Sequence, residues 1–187
     1  QADSGTSVFW YRNADRPHPL TSGDVDAEIA TSLAAWTNPT TASLILAHGG
    51  TRSASGSTDV FCTSVTAGLG LISFEDPEGD IQSGVLAIGG GCASGPITTV
   101  NGQNFSSFSH GFVVFNDAAS LGSSYKVAPN FTRVLTHEIG HGIGLGHPCG
   151  GSGPSCTTAL QANVMYPSCC YSTMPLPPNI GPDDLAG

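Results

Sequence analysis

The chain has 187 residues, a formal net charge of −9 and only 10% charged residues. That length suits one domain with its own core. The acidic balance excludes the basic stripe of a nucleic-acid binder and the polybasic patch of a lipid anchor. No apolar run approaches the roughly 18 residues of a membrane-spanning helix.

The elements follow from patterning, in chain order. Val8-Phe9-Trp10-Tyr11 is a short apolar and aromatic run, which predicts a strand. Over Asp24 to Trp36 the apolar positions Val25, Ile29, Leu33 and Trp36 recur at helical spacing, with Ser22 or Asp24 as the cap. Asn38-Pro39 ends that helix. Ser43 to His48 and Leu69 to Glu75 are buried strands, the second closed by the acidic turn Asp76-Pro77-Glu78-Gly79-Asp80. Val85 to Ile88 and Gly111 to Phe115 are two more strands. Phe131 to Leu145 is helical by pattern. After His147, Gly, Pro, Ser and Cys dominate and periodicity is lost. The order of strand, helix, four strands, helix and irregular chain predicts an α+β or α/β subdomain followed by a smaller irregular one.

The chemistry sits in His137-Glu138-Ile139-Gly140-His141-Gly142-Ile143-Gly144-Leu145-Gly146-His147. His137 and His141 are four apart and share one helix face. Two imidazoles so placed grip one zinc ion, and Glu138 reaches its water without ligating the metal. His147 joins the same ion only if the chain turns sharply after His141. Gly144 is the place for that turn, because glycine takes a positive φ without steric cost. Three neutral histidines leave one zinc position open, the arrangement of a catalytic site. Glu138 is then the general base and afterwards the general acid.

This eleven-residue pattern resembles the metzincin clan of zinc endopeptidases. Asn163-Val164-Met165-Tyr166-Pro167 is similar to the clan's Met-containing turn, and its Met-Tyr-Pro triplet resembles the matrixin branch. Gly181-Pro182-Asp183-Asp184-Leu185 is similar to the start of the matrixin C-terminal helix. The motif-level match covers about residues 131–187. The resemblance implies an α+β, zincin-like fold: a twisted, mostly parallel five-stranded sheet with an antiparallel edge strand, two long helices, and a small irregular subdomain. It divides the single catalytic domain into residues 1–147, with the active-site helix, and 148–187, with the Met-turn. It implies that Met165 forms the floor under the zinc. It places Val85, Leu86, Ala87 and Ile88 on an edge strand that pairs with substrate, and Tyr166 and Pro167 in the pocket wall. The implied activity is hydrolysis of internal peptide bonds in protein or peptide substrates by a monomer. The alternatives are another zinc amidase and a silent binding module of the same fold.

Weaker signals complete the reading. Six cysteines, a single lysine (Lys126) and the triplets Asn104-Phe105-Ser106 and Asn130-Phe131-Thr132 point to a secreted chain. Cys62 is expected to pair with Cys92. Adjacent cysteines rarely bond to each other, so Cys149 and Cys156 are each expected to pair with one of Cys169 and Cys170. Asp76, Glu78 and Asp80, with Glu75, are a candidate Ca²⁺ site of oxygen ligands, or else a solvated acidic turn. His110, His48 and His18 are isolated, and no second zinc is expected.

Overall fold

The computed structural model describes residues 7–14, 20–39, 44–53, 61–63, 68–74, 76, 79, 81–116, 129–149, 157, 159–168, 180–181 and 184. In chain order these form β1 (Ser7–Arg12), α1 (Ser22–Thr37), β2 (Ile45–Thr51), β3 (Leu69–Ser73), β4 (Ala87–Val100), β5 (Gln103–Phe115) and α2 (Asn130–Gly142), with a 3₁₀ turn at Leu160–Ala162. The strands make one sheet in the order β2-β1-β3-β5-β4. β1 runs parallel to both β2 and β3, β3 runs parallel to β5, and β4 is antiparallel to β5. The fold is therefore α+β with a mixed five-stranded sheet and an antiparallel strand at one edge. Among the described residues no helix is long and apolar enough to cross a membrane.

The middle of the sheet is buried on both faces, because β3 and the C-terminal half of β5 alternate between two cores. Ile72, Val113, Phe115 and Ala87 face the larger core, where Val25, Ile29, Leu33 and Trp36 of α1 meet Phe131, Val134, Leu135 and Ile139 of α2. Leu71, Phe112, Val114 and Cys92 face a smaller core with Phe61 and Ile81. Both helices thus lie on one face. They are tied together where Trp36 Nε1 donates to the Thr136 carbonyl at 2.9 Å and the Thr132 hydroxyl donates to the Glu28 carboxylate.

Local chemistry shifts several boundaries. The cap of α1 is Thr21, with Ser22 and Asp24 inside the helix. Thr21 Oγ1 accepts from the Asp24 amide and the Asp24 carboxylate accepts from the Thr21 amide, which closes a capping box. β3 ends at Ser73, before Glu75. The strand expected over Val85–Ile88 begins at Ala87 and continues to Val100. It joins a β5 that begins at Gln103, well before Gly111. The Asn101-Gly102 pair, with φ of 51° and 80°, makes the two-residue turn of this long hairpin.

The Cys62–Cys92 disulfide is present, with 5.2 Å between Cα atoms, and ties the segment around Phe61 to β4. Cys149 is also disulfide-bonded. The expected partners Cys169 and Cys170, and Cys156, lie outside the described residues, as does His18.

Candidate metal centre

α2 carries His137 and His141 one turn apart and ends directly after them. The Gly144 amide donates to the His141 carbonyl at 3.0 Å and the Leu145 amide donates to the Gly140 carbonyl at 2.9 Å. That pair of bonds is a Schellman closure, which needs a positive φ at its C′ residue. Gly144 supplies it, with φ +107°. The helix expected to run to Leu145 therefore stops at Gly142, and the reversal brings His147 back to the other two histidines.

The Nε2 atoms of His137, His141 and His147 form a triangle with sides of 3.1, 3.1 and 3.2 Å. His137 Nδ1 donates to the Val164 carbonyl and His141 Nδ1 donates to the Leu145 carbonyl, both at 2.7 Å. These bonds fix the tautomer and leave each Nε2 lone pair aimed inward. Three lone pairs at this spacing repel unless a cation lies among them. Burial pushes His137 down to about 3 and lowers His141 and His147 as well, so protons do not fill that role at neutral pH. An ion about 2.0–2.1 Å from each nitrogen fits the set. The three histidines are thus a candidate metal-binding group.

Glu138 is buried, and burial pushes its carboxyl up to about 8, against the lowering pull of a hydrogen bond from the Gly89 amide. Gly89 belongs to β4, so the edge strand touches the putting-in-place of this carboxylate directly. Met165 is 1% exposed, and its sulfur lies against Gly140, between the first two histidines.

Asp184, far along the chain, holds the Met165 segment in place. Its carboxylate accepts from the amides of Val164, Met165 and Gly181 at 3.1, 3.2 and 2.8 Å. It also attracts the buried Arg133 guanidinium. Asp184→Ala is expected to destabilise the protein by about 3–5 kcal/mol, because it strands three amides and a buried cation. Urea unfolding measures that loss. Metal affinity should fall about 10–100-fold, since the Val164 carbonyl that orients His137 is no longer anchored.

A cavity of about 380 Å³ adjoins the triad. His137, Glu138, Val134 and Arg133 of α2 form one wall, residues 84–87 a second, and Val164, Tyr166, Pro167 and Ser168 a third. Val85, Leu86, Ala87, Tyr166 and Pro167 are therefore brought together beside the triad. Asn116 pins the second wall: its side chain donates to the Val85 carbonyl at 3.0 Å, and its amide donates to the Leu86 carbonyl at 2.9 Å. Ile88 is not among the lining residues. Strand alternation turns it to the opposite face, against the smaller core.

Other candidates gather no such chemistry. Of the acidic turn only Asp76 is described among the proposed Ca²⁺ ligands, and its carboxylate accepts from the Ile81 amide at 2.9 Å. Glu75, Glu78 and Asp80 lie outside the described residues. His110 is not isolated: it sits beside Cys62 and Cys92 in a second candidate group. There the two sulfurs are bonded to each other, and the ring nitrogens face the Phe61 carbonyl at 2.6 Å and Ser109 Oγ at 2.8 Å. His48 lies 3.5 Å from Asp26, which Arg12 already holds at 2.6 Å.

Sequence reasoning passed over Gly89, Arg133 and the role of Asp184. A glycine run at 89–91 and an arginine one turn before His137 were visible signals, but neither has meaning until α2 lies on β4. No family model matches the chain, and no curated protein matches it.

Proposed function

We propose that the chain is a secreted, zinc-dependent endopeptidase of the metzincin clan, most similar to matrixins, and acts as a monomer on extended protein or peptide substrates. The observation that carries this reading is the convergence of three imidazole Nε2 atoms on one point, beside a buried carboxyl group and a cavity of about 380 Å³. The mixed sheet with its antiparallel edge strand, and Met165 packed against Gly140, agree with a zincin-like domain. Disulfide bonds at Cys62, Cys92 and Cys149 suit an oxidising compartment.

Zinc held by His137, His141 and His147 supplies Lewis acidity toward a carbonyl oxygen and toward water. The chain's residues do the rest. The Glu138 carboxylate takes a proton from the attacking water and returns it to the leaving nitrogen. The Gly89 amide orients that carboxylate, and its burial raises its proton affinity to match the task. β4, at the edge of the sheet, pairs main chain to main chain with an extended peptide. The cavity receives the side chain that follows the scissile bond.

Two measurements test the proposal. Zinc titration is expected to saturate at one ion per chain and to stabilise the fold by about 2.7 kcal/mol at a hundred times Kd. His147→Ala should abolish that shift in melting temperature. Digestion of a proteome-derived peptide library, read by mass spectrometry, should give internal cuts that vanish in Glu138→Ala. A folded, zinc-bound protein that makes no cuts in the library overturns the endopeptidase reading in favour of a narrow amidase or a silent binding module.

A further inference from the structure

β4 is an edge strand that touches Glu138 through the Gly89 amide, and it continues well past that contact. It runs on to Val100 and, with the first half of β5, forms a ribbon whose residues 93–99 and 101–106 are exposed. Residues 93–109 include no Asp, Glu, Lys or Arg, in a chain of net charge −9. They do include large apolar side chains: Phe108 is 46% exposed and Ile97 is 66% exposed. Ile97 lies opposite Ser106, two residues from Phe108, so the two share one face of the ribbon. That face is the one toward α2. A Cβ on Gly91 would meet the Phe108 ring at 2.1 Å, and one on Gly89, two residues earlier, would meet the Glu138 backbone. The Phe108 ring also lies 3.5 Å from the Cβ position of Gly144, in the turn that returns His147. One strand edge thus leads from Glu138, past the metal turn, to an uncharged apolar ledge. From Gly89 to Ile97 it covers about 20–25 Å, the span of about six to eight extended residues.

We propose that this ledge binds substrate upstream of the cut: a polypeptide paired with β4 lays apolar side chains, about six to eight residues before the scissile bond, on Phe108 and Ile97. The inference rests on the endopeptidase reading and names its substrate class, long polypeptides with apolar side chains on alternate residues. Residues 84–87 wall the cavity that takes the side chain after the scissile bond, and β4 runs away from them. Antiparallel pairing, the more stable kind, therefore sends the preceding residues along the ribbon. An uncharged ledge accepts a polypeptide of either sign, whereas a second copy of this chain brings a like net charge of −9. Burial of one substrate leucine on the ledge corresponds to about a tenfold gain in affinity.

The test uses peptides that share a core, Ala-Ala-Gly-Leu-Ala-Ala. The core is extended by an eight-residue Ser-Leu repeat upstream, by the same repeat downstream, or by eight serines upstream. Binding to zinc-loaded Glu138→Gln protein is followed by fluorescence polarisation, and cleavage of the Gly-Leu bond is followed with the wild type. The upstream Ser-Leu repeat is expected to improve binding and kcat/KM at least tenfold over the core, and the other two extensions to improve them less than threefold. Ile97→Asp should remove the gain, read as the ratio of extended to core peptide in the same protein. Phe105→Ser should keep it, because Phe105 lies opposite Thr98 on the other face of the ribbon. Melting curves select variants that remain folded. No gain from the upstream repeat overturns the ledge, as does an equal gain from the downstream or all-serine extension, or a gain that survives in folded Ile97→Asp. A dimer in sedimentation that Ile97→Asp dissociates overturns it in favour of a second copy. An Ile97-dependent gain in binding with no cleavage overturns the endopeptidase reading and supports the ledge.

Discussion

Replacing Glu138 by Gln is expected to cut hydrolysis by about 10²–10⁴-fold, keep zinc bound, and make the metal-free protein more stable. The first effect follows from removing the only carboxyl group in the wall of the cavity beside His137 among the described residues. The last follows from burial. Glu138 is pushed from 4.5 to about 8, so in the metal-free fold it keeps a proton that the unfolded chain has released. A native state that binds more protons than the unfolded state loses stability as pH rises. The loss begins near pH 4.5, where the unfolded group ionises, and is complete above pH 8. Glutamine does not titrate. The melting temperatures of metal-free wild type and Glu138→Gln should therefore differ little at pH 4 and diverge steadily to pH 8. At pH 8 the variant is expected to be ahead by about 3–5 kcal/mol, or on the order of 10 °C for a chain of this size. Equal melting temperatures at pH 8 would mean that the carboxylate is not desolvated. Retained turnover would remove Glu138 from the role of base.

The triad was legible because its geometry is local. Helical spacing places His137 beside His141, and a single glycine lets a Schellman closure return His147, all within eleven residues. The central parallel strand β3 was legible for a similar reason: burial on both faces makes Leu69 to Ile72 a nearly continuous apolar run. The long hairpin was not. Residues 93–99 are exposed and rich in Ser and Thr, so no core face imposes alternation on them. Their pairing with β5 depends on partners across the Asn101-Gly102 turn. In the sequence Asp184 reads only as part of a terminal motif, since its partners at Val164 and Met165 lie 20 and 19 residues away. Arg133 looked like one more helical residue, because the cavity that gives it meaning also needs residues 84–87 and 164–168. What escaped the sequence is what depends on two distant elements lying at a fixed separation.

That separation can be probed at Gly89. A Cβ there would lie 2.1 Å from the Glu138 carbonyl oxygen and 2.7 Å from its carbonyl carbon, both backbone atoms of α2. Neither can rotate away, so Gly89→Ala must move β4 from α2 or tilt the helix. Overpacking of this kind costs about 1–3 kcal/mol or more. The displacement also falls on the bond from the Gly89 amide to the Glu138 carboxylate. Gly140→Ala is the matched control. Its Cβ would also clash, at 2.3 Å, but with the sulfur of Met165, the far part of a flexible side chain. Trp36 lies 2.8 Å away on the same side, so some loss of stability is expected there too. The two variants should separate in kind. Gly89→Ala is expected to lower kcat at least 100-fold in whatever fraction folds, because a displacement of about 1 Å at a catalytic group costs that much. Gly140→Ala is expected to lose stability with kcat within about tenfold of wild type, since methionine repacks more readily than backbone. Urea unfolding with single-turnover kinetics on the zinc-loaded proteins makes the comparison. If Gly89→Ala keeps wild-type kcat, the close contact of β4 with α2 does not set the position of the base.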